Sequence, residues 1–198
     1  MRLSPIASLS YGPPVFYGTL LAIWLLDEHR TASRPARDGE LARDEGTGRR
    51  IHTWGVLGIA AAIAVAYSVP QATVPIPPAI ALAAGVALQW TGYALVEWTT
   101  RLLGALYRPI VAVQRDHNVI RAGPYRLVRH PMYAGGILTD LGICLALANA
   151  LSFAILVPLG VYAYARRIDA EERLLAERLG EEYRDYMRRT KRLIPFVW

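Results

Sequence analysis

Apolar and polar residues separate into long blocks along this chain instead of alternating. Residues 11–26 are apolar, rich in aromatics near their start and closed by Asp27, Glu28, His29 and Arg30. Residues 27–53 are polar and hold Gly39, Gly46 and Gly48, the composition of a flexible loop. Residues 54–69 are alanine-rich, 70–78 form an uncharged proline-rich turn, and 79–96 are a third apolar run ending at Glu97 and Trp98. Two further runs, 134–147 and 151–165, are joined only by Ala148, Asn149 and Ala150, the spacing of a tight helical hairpin. These two fall short of the roughly 20 residues a full span needs, so they borrow interfacial residues at each end. Pro158 is expected to kink the fifth helix. The pattern predicts an all-α, polytopic membrane protein with about five transmembrane helices. Residues 1–98 carry the first three, and 99–198 form a core with helices four and five, a polar loop and the tail.

Charge gives this layout a direction. The 198 residues are 54% hydrophobic and 19% charged, and the net charge of +6 falls between the apolar runs, so it points to a membrane surface and not to nucleic acid. Segment 27–53 holds Arg30, Arg34, Arg37, Arg43, Arg49 and Arg50, and segment 99–133 holds another six arginines. The tail from Arg166 to Arg192 holds nine more Lys or Arg, whereas the turns 70–78 and 148–150 hold none. Five spans place all three basic segments on one side, which the positive-inside rule makes cytoplasmic. The N-terminus is then outside and the C-terminus inside. Twenty-one arginines against one lysine suit a GC-rich bacterial genome, and hence a bacterial cytoplasmic membrane. Only Arg2 precedes the first apolar stretch and no small-residue cleavage site follows, so no removable signal peptide is expected.

Several chemistries are disfavoured. The one cysteine, Cys144, lies in an apolar run and has no partner for a disulfide. His29, His52, His117 and His130 lack metal-ligand spacing, so no metal site is expected. The only Gly-x-Gly, at Gly46 and Gly48, is read as part of a charged loop and not as a strand-to-helix turn, and no Walker motif occurs.

What remains is concentrated in 123–135, a proline-interrupted loop with Arg126, Arg129 and His130 that runs into an apolar helix. Pro131 biases His130 away from helical geometry and suits the first position of a new helix. That helix start has unpaired backbone donors and partial positive charge, a corner able to hold a carboxylate. In the tail, Ile168, Glu172, Leu175, Leu179, Glu182 or Tyr183, and Tyr186 recur at helical spacing along one face, and Gly180 weakens or bends that helix. Glu171 and Glu172 point about 100° apart on a helix, so they cannot both face one pocket, and Glu172 is the one on the apolar stripe. A carboxylate there needs a partner, and a salt bridge to a loop arginine competes with a ligand-binding role.

Two separated stretches carry a resemblance. His117-Asn118-Val119-Ile120-Arg121-Ala122-Gly123-Pro124-Tyr125 with Arg129-His130-Pro131-Met132-Tyr133-Ala134-Gly135 is similar to the core motif of the isoprenylcysteine carboxyl methyltransferase family. So are Glu171-Glu172-Arg173-Leu174-Leu175, 179–186 and 192–196. The resemblance covers about residues 114–198. It implies an integral membrane methyltransferase that uses S-adenosylmethionine without a Rossmann domain. On that pattern His117, Val119, Gly123, Tyr125, His130, Pro131 and Tyr133 from the loop, with Glu171 or Glu172 from the tail, enclose the cofactor. Arg129 and Glu172 are the residues assigned to catalysis, Arg129 to orient an acceptor carboxylate and Glu172 to hold the cofactor's ammonium or ribose. The acceptor is expected to be lipophilic, a small molecule or a lipidated chain entering from the bilayer. Three other readings stay open: an N-methyltransferase of lipid amines, a membrane reductase, and a non-catalytic module whose basic loops bind anionic lipid.

Overall fold

A computed structural model of the chain describes residues 4–32, 40–44, 47–107, 111–114 and 119–195. All five apolar runs are helices. In chain order the elements are α1 (Gly12–Ala32), β1 (Glu40–Asp44), α2 (Thr47–Ser68), α3 (Pro78–Leu103), β2 (Val111–Gln114), α4 (Pro131–Leu147), α5 (Ala150–Leu179) and α6 (Glu181–Arg189). The short antiparallel pair β1–β2 ties the two basic segments together and is absent from an all-α expectation. Gly48 lies in the first turn of α2, the element after β1, and β1 belongs to a two-stranded ribbon, not to the parallel sheet a dinucleotide fingerprint needs, while Gly46 falls outside the described residues.

Two helices outrun their apolar runs. α3 continues past Glu97 to Leu103, so it crosses the expected boundary at residue 98 unbroken. α5 continues through Pro158 and carries the charged tail as its own second half, making one 30-residue helix. Gly180, with φ 60°, then ends that helix and starts α6.

α3 lies along α4 and α2 along α5, with α4 against α5 and α1 against α3. The α3–α4 crossing is nearly backbone to backbone. A Cβ on Gly85 would sit 2.5 Å from the Ala146 nitrogen, and one on Gly92 would sit 2.5 Å from the Gly135 oxygen. Small residues at Gly85 and Gly92 meet Gly135 and Gly142, which lets the two axes approach closely enough to gain dispersion contacts. Phe16, Leu82, Ile143, Leu147 and Leu156 fill the core at the hairpin end. There Asn149 caps α5, its Oδ1 accepting from the Leu151 and Ser152 amides at 3.1 Å while its Nδ2 donates to the Val69 carbonyl at 3.0 Å.

Pro78–Leu103 and Ala150–Leu179 are long and apolar enough to cross a membrane, and 52–68 and Pro131–Leu147 are shorter apolar helices. Only 28% and 22% of the apolar windows in the two long helices are covered by protein, so their apolar faces point outward. Trp24, Leu57, Ile80, Trp98, Phe153 and Tyr162 are exposed as well. An outward apolar surface of this extent requires a lipid surround.

Candidate functional site

At the end opposite the hairpin, the loop before α4 and the tail after α6 close on each other. Gly123, with φ 55°, opens a 3-10 turn over Gly123–Arg126, and a Cβ there would lie 2.7 Å from Leu102 Cδ1. The chain then runs extended beside the tail. The Arg129 amide donates to the Lys191 carbonyl at 2.7 Å, the His130 amide to the Arg192 carbonyl at 3.0 Å, and the Lys191 amide back to Leu127 at 3.2 Å. Tyr186 locks the same join by donating its hydroxyl to the Tyr125 carbonyl at 2.8 Å. His130 has φ −125° and Pro131 starts α4, as a helix beginning with proline requires.

Glu172 sits at the centre and is buried, with its side chain 4% exposed. Its Oε1 accepts from Arg129 Nε at 2.7 Å and from His130 Nε2 at 3.1 Å. A carboxylate only accepts, so the His130 proton is on Nε2. Its Oε2 accepts from Arg192, at 2.8 Å from Nη2 and 3.1 Å from Nε, while Arg192 Nη1 reaches Asp169 at 3.0 Å. Arg129 is equally committed, since its Nη1 also donates to the carbonyls of Met187, at 3.0 Å, and Thr190. Burial alone would raise the Glu172 carboxyl, but hydrogen bonds from His130 and Arg129 and their charges outweigh it and hold the group down at about 2. The salt bridge to a loop arginine is therefore present, and Arg129 and Glu172 face each other.

Glu171 lies on the neighbouring face and is half-buried. Its Oε2 accepts from the Tyr133 hydroxyl at 2.6 Å, and that hydroxyl accepts in turn from Arg167 Nε at 2.7 Å. Tyr133 stacks between His130 and Tyr164, with ring centroids 5.6 and 5.7 Å away. Two carboxylates one residue apart thus occupy separate networks, joined through the His130–Tyr133 stack. Val119 packs against Leu175, Tyr183 and Tyr186, and Arg121 lies over the Tyr186 ring at 5.8 Å. Burial raises the Tyr125, Tyr183 and Tyr186 phenols, so they stay neutral.

Of the expected site residues, Val119, Gly123, Tyr125, Arg129, His130, Pro131, Tyr133, Glu171 and Glu172 all lie at this join, and His117 falls outside the described residues. Arg167 and Arg192 belong to the cluster but were not singled out from sequence. The Arg167 signal was available, since it lies four residues before Glu171 and on a helix shares its face, and Arg192 opens the 192–196 stretch of the tail. Among the described residues no group of three or more His, Cys, Asp or Glu could hold a metal.

Fold and cluster together define a helical membrane protein whose polar centre is built at one end of the bundle by a loop and the extension of its last long helix. Residues 85–177, which span most of α3 through nearly all of α5 and include the loop motif and the Glu171-Glu172 stretch, match the isoprenylcysteine carboxyl methyltransferase (ICMT) family. Protein-S-isoprenylcysteine O-methyltransferase B of Arabidopsis thaliana is 30% identical over 99 residues, covering 48% of this chain and 49% of that protein. Protein-S-isoprenylcysteine O-methyltransferase of Rattus norvegicus is 29% identical over 118 residues, covering 58% of this chain and 41% of that protein. The chain thus spans about half the length, or less, of the curated relatives it matches. The solved structure of the eukaryotic intramembrane Ras methyltransferase ICMT superposes with a TM-score of 0.62 at 21% identity, over 78% of this chain and 54% of that one. At that identity the likeness establishes a shared fold.

Proposed function

We propose that this chain is an integral membrane methyltransferase that uses S-adenosylmethionine and acts on the carboxylate of a lipophilic acceptor. The observation that carries the proposal is the closure of the loop and tail motifs around Glu171 and Glu172, which brings groups about 40 residues apart in sequence into one cluster. The donor set suits the cofactor's chemistry. Glu171 keeps one oxygen free of the Tyr133 bond and matches an ammonium, while the partial positive charge of the α4 start suits a carboxylate. When bound, S-adenosylmethionine supplies an electrophilic methyl group on a sulfonium. The chain's own work is placement: Arg167 fixes Tyr133, Tyr133 fixes Glu171, and the Arg129–Glu172–Arg192 network fixes the loop against the tail. Methyl transfer disperses charge on sulfur and requires no covalent nucleophile, so orientation and exclusion of water supply most of the rate.

The five-helix arrangement with an external N-terminus and a cytoplasmic C-terminus, in a bacterial cytoplasmic membrane, belongs to the same proposal. It puts the cluster on the basic side, where a cytoplasmic cofactor can enter. The test is titration of the purified protein with S-adenosylhomocysteine, followed by transfer of labelled methyl to an S-prenylated N-acetylcysteine. Binding and a base-labile ester product are expected. Absence of binding overturns the proposal. Label in a base-stable phospholipid product moves the acceptor from a carboxylate to an amine.

A further inference from the structure

Arg129 already commits Nε to Glu172 and Nη1 to two tail carbonyls, so neither of its two-nitrogen edges is wholly open to an acceptor. A different arginine, on α1 and outside the family-matched segment, has the geometry that role needs. The Arg30 side chain is 8% exposed. Its Nη1 donates to Thr100 Oγ1 on α3 at 3.1 Å, and its guanidinium lies over the Tyr107 ring at 5.5 Å. Its Nη2 bonds to Asp27, whose side chain is 52% exposed. Its Nε is buried and donates to nothing among the described residues.

Nε and Nη2 form one edge of a guanidinium, the edge a carboxylate grips with both oxygens. Asp27 takes only half of that edge and does so from the solvent side. A buried cation with an unpaired donor is costly, so the site is held open at some expense and is completed by an anion that spans both nitrogens. The place also fits. The Thr100 hydroxyl that braces Arg30 lies 3.9 Å from Met132 Sδ in the first turn of α4. Tyr107 stands beside Arg30 and is close enough to Arg167 to act on its charge, and Arg167 leads to Tyr133 and Glu171. Arg30 therefore borders the cluster from the α1 side, next to outward apolar surface along which a lipid tail can lie.

We propose that Arg30 anchors the carboxylate of the lipophilic acceptor, with Asp27 as the resident counter-ion that the acceptor displaces. This rests on the methyltransferase reading and adds a specificity residue to it. The test uses full-length protein in phosphatidylcholine nanodiscs, without cofactor, titrated with an S-prenylated N-acetylcysteine and separately with its methyl ester. The wild type is expected to prefer the acid by roughly 10-fold or more, the worth of a charged hydrogen bond. Arg30→Gln should abolish that preference and leave S-adenosylhomocysteine binding unchanged. Asp27→Asn should tighten binding of the acid and not of the ester. Retained acid preference in Arg30→Gln overturns the assignment. Should that variant fail to fold, an unchanged acid affinity in Asp27→Asn overturns it instead. Nanodiscs containing phosphatidylglycerol complete the test. If they weaken acid binding in the wild type but not in Arg30→Gln, the edge holds a lipid phosphate and the acceptor assignment falls. Loss of S-adenosylhomocysteine binding and of methyl transfer in the wild type strikes the methyltransferase reading and not the anchor.

Discussion

Glu171 and Glu172 are chemically identical and one residue apart, yet their surroundings give them different work. Every lone-pair direction of Glu172 points at a cation or an imidazole N–H, so the residue is a brace. Replacing it with Gln leaves the buried Arg129 and the half-buried Arg192 beside a weaker partner, and losses of about 3–5 kcal/mol are usual when one side of a buried pair such as Arg129–Glu172 goes. The Glu172 carboxyl is held at about 2 in the folded protein against an ordinary 4.5. A depressed carboxyl stabilises the fold fully above its unfolded pKa and loses that contribution as pH falls toward the folded one. The melting temperature of the wild type in detergent should thus exceed that of Glu172→Gln at pH 7, and the gap should shrink between about pH 4.5 and pH 2. A gap independent of pH would mean the carboxylate charge is not what stabilises. Glu171→Gln is expected to melt near the wild type but, on the proposed function, to weaken S-adenosylhomocysteine binding by about 1.5–3 kcal/mol, because one of its oxygens lies outside the Tyr133 bond. Unchanged affinity in that variant would remove Glu171 from the site.

Among the elements, the α3–α4 pair is the most exacting. Gly92→Ala would push a methyl group into the Gly135 carbonyl and Thr139, and two abutting helix backbones cannot shift it aside. A loss of about 1–3 kcal/mol is expected from such overpacking, read as a lowered melting temperature. Gly55→Ala on α2, with open space around the new methyl, should be neutral or slightly stabilising, since alanine favours helix by about 1 kcal/mol. Equal effects from both variants would show that the crossing is looser than its distances. The helices themselves were legible in the hydrophobic pattern, because each apolar run had to be buried or lipid-facing. The start of α4 at Pro131 was legible from proline's missing N–H. Less was visible where an element outran its apolar run. Nothing in the alternation of 150–179 announces that membrane run and charged tail are one helix, because the period is the same while the composition changes. Arg30 is likewise silent in sequence, one arginine in a basic segment. Its meaning depends on Thr100 and Tyr107, which chain folding alone brings alongside it.

For the whole molecule, the proposed topology predicts that a C-terminal reporter active only outside the cell stays silent, and that an N-terminal one is active. A signal from the C-terminal fusion would refute the five-helix arrangement. Truncation after Ile168 should leave a chain that still inserts but binds no S-adenosylhomocysteine, since it lacks both glutamates and the 190–192 segment. Undiminished binding by that truncated chain would place the cofactor elsewhere. The bond between loop and tail also sets an order of events in time. The Arg129 and His130 amides find their acceptors only on Lys191 and Arg192, about 60 residues later. A ribosome adding about 5–20 residues per second takes several seconds to make that stretch. Through most of that interval a chain whose helices are already entering the bilayer carries an arginine-rich loop with neither its carboxylates nor its backbone partners. The polar centre is therefore the last part of the molecule to exist, and a stalled or clipped chain would be a membrane protein in every respect except the one that makes it useful.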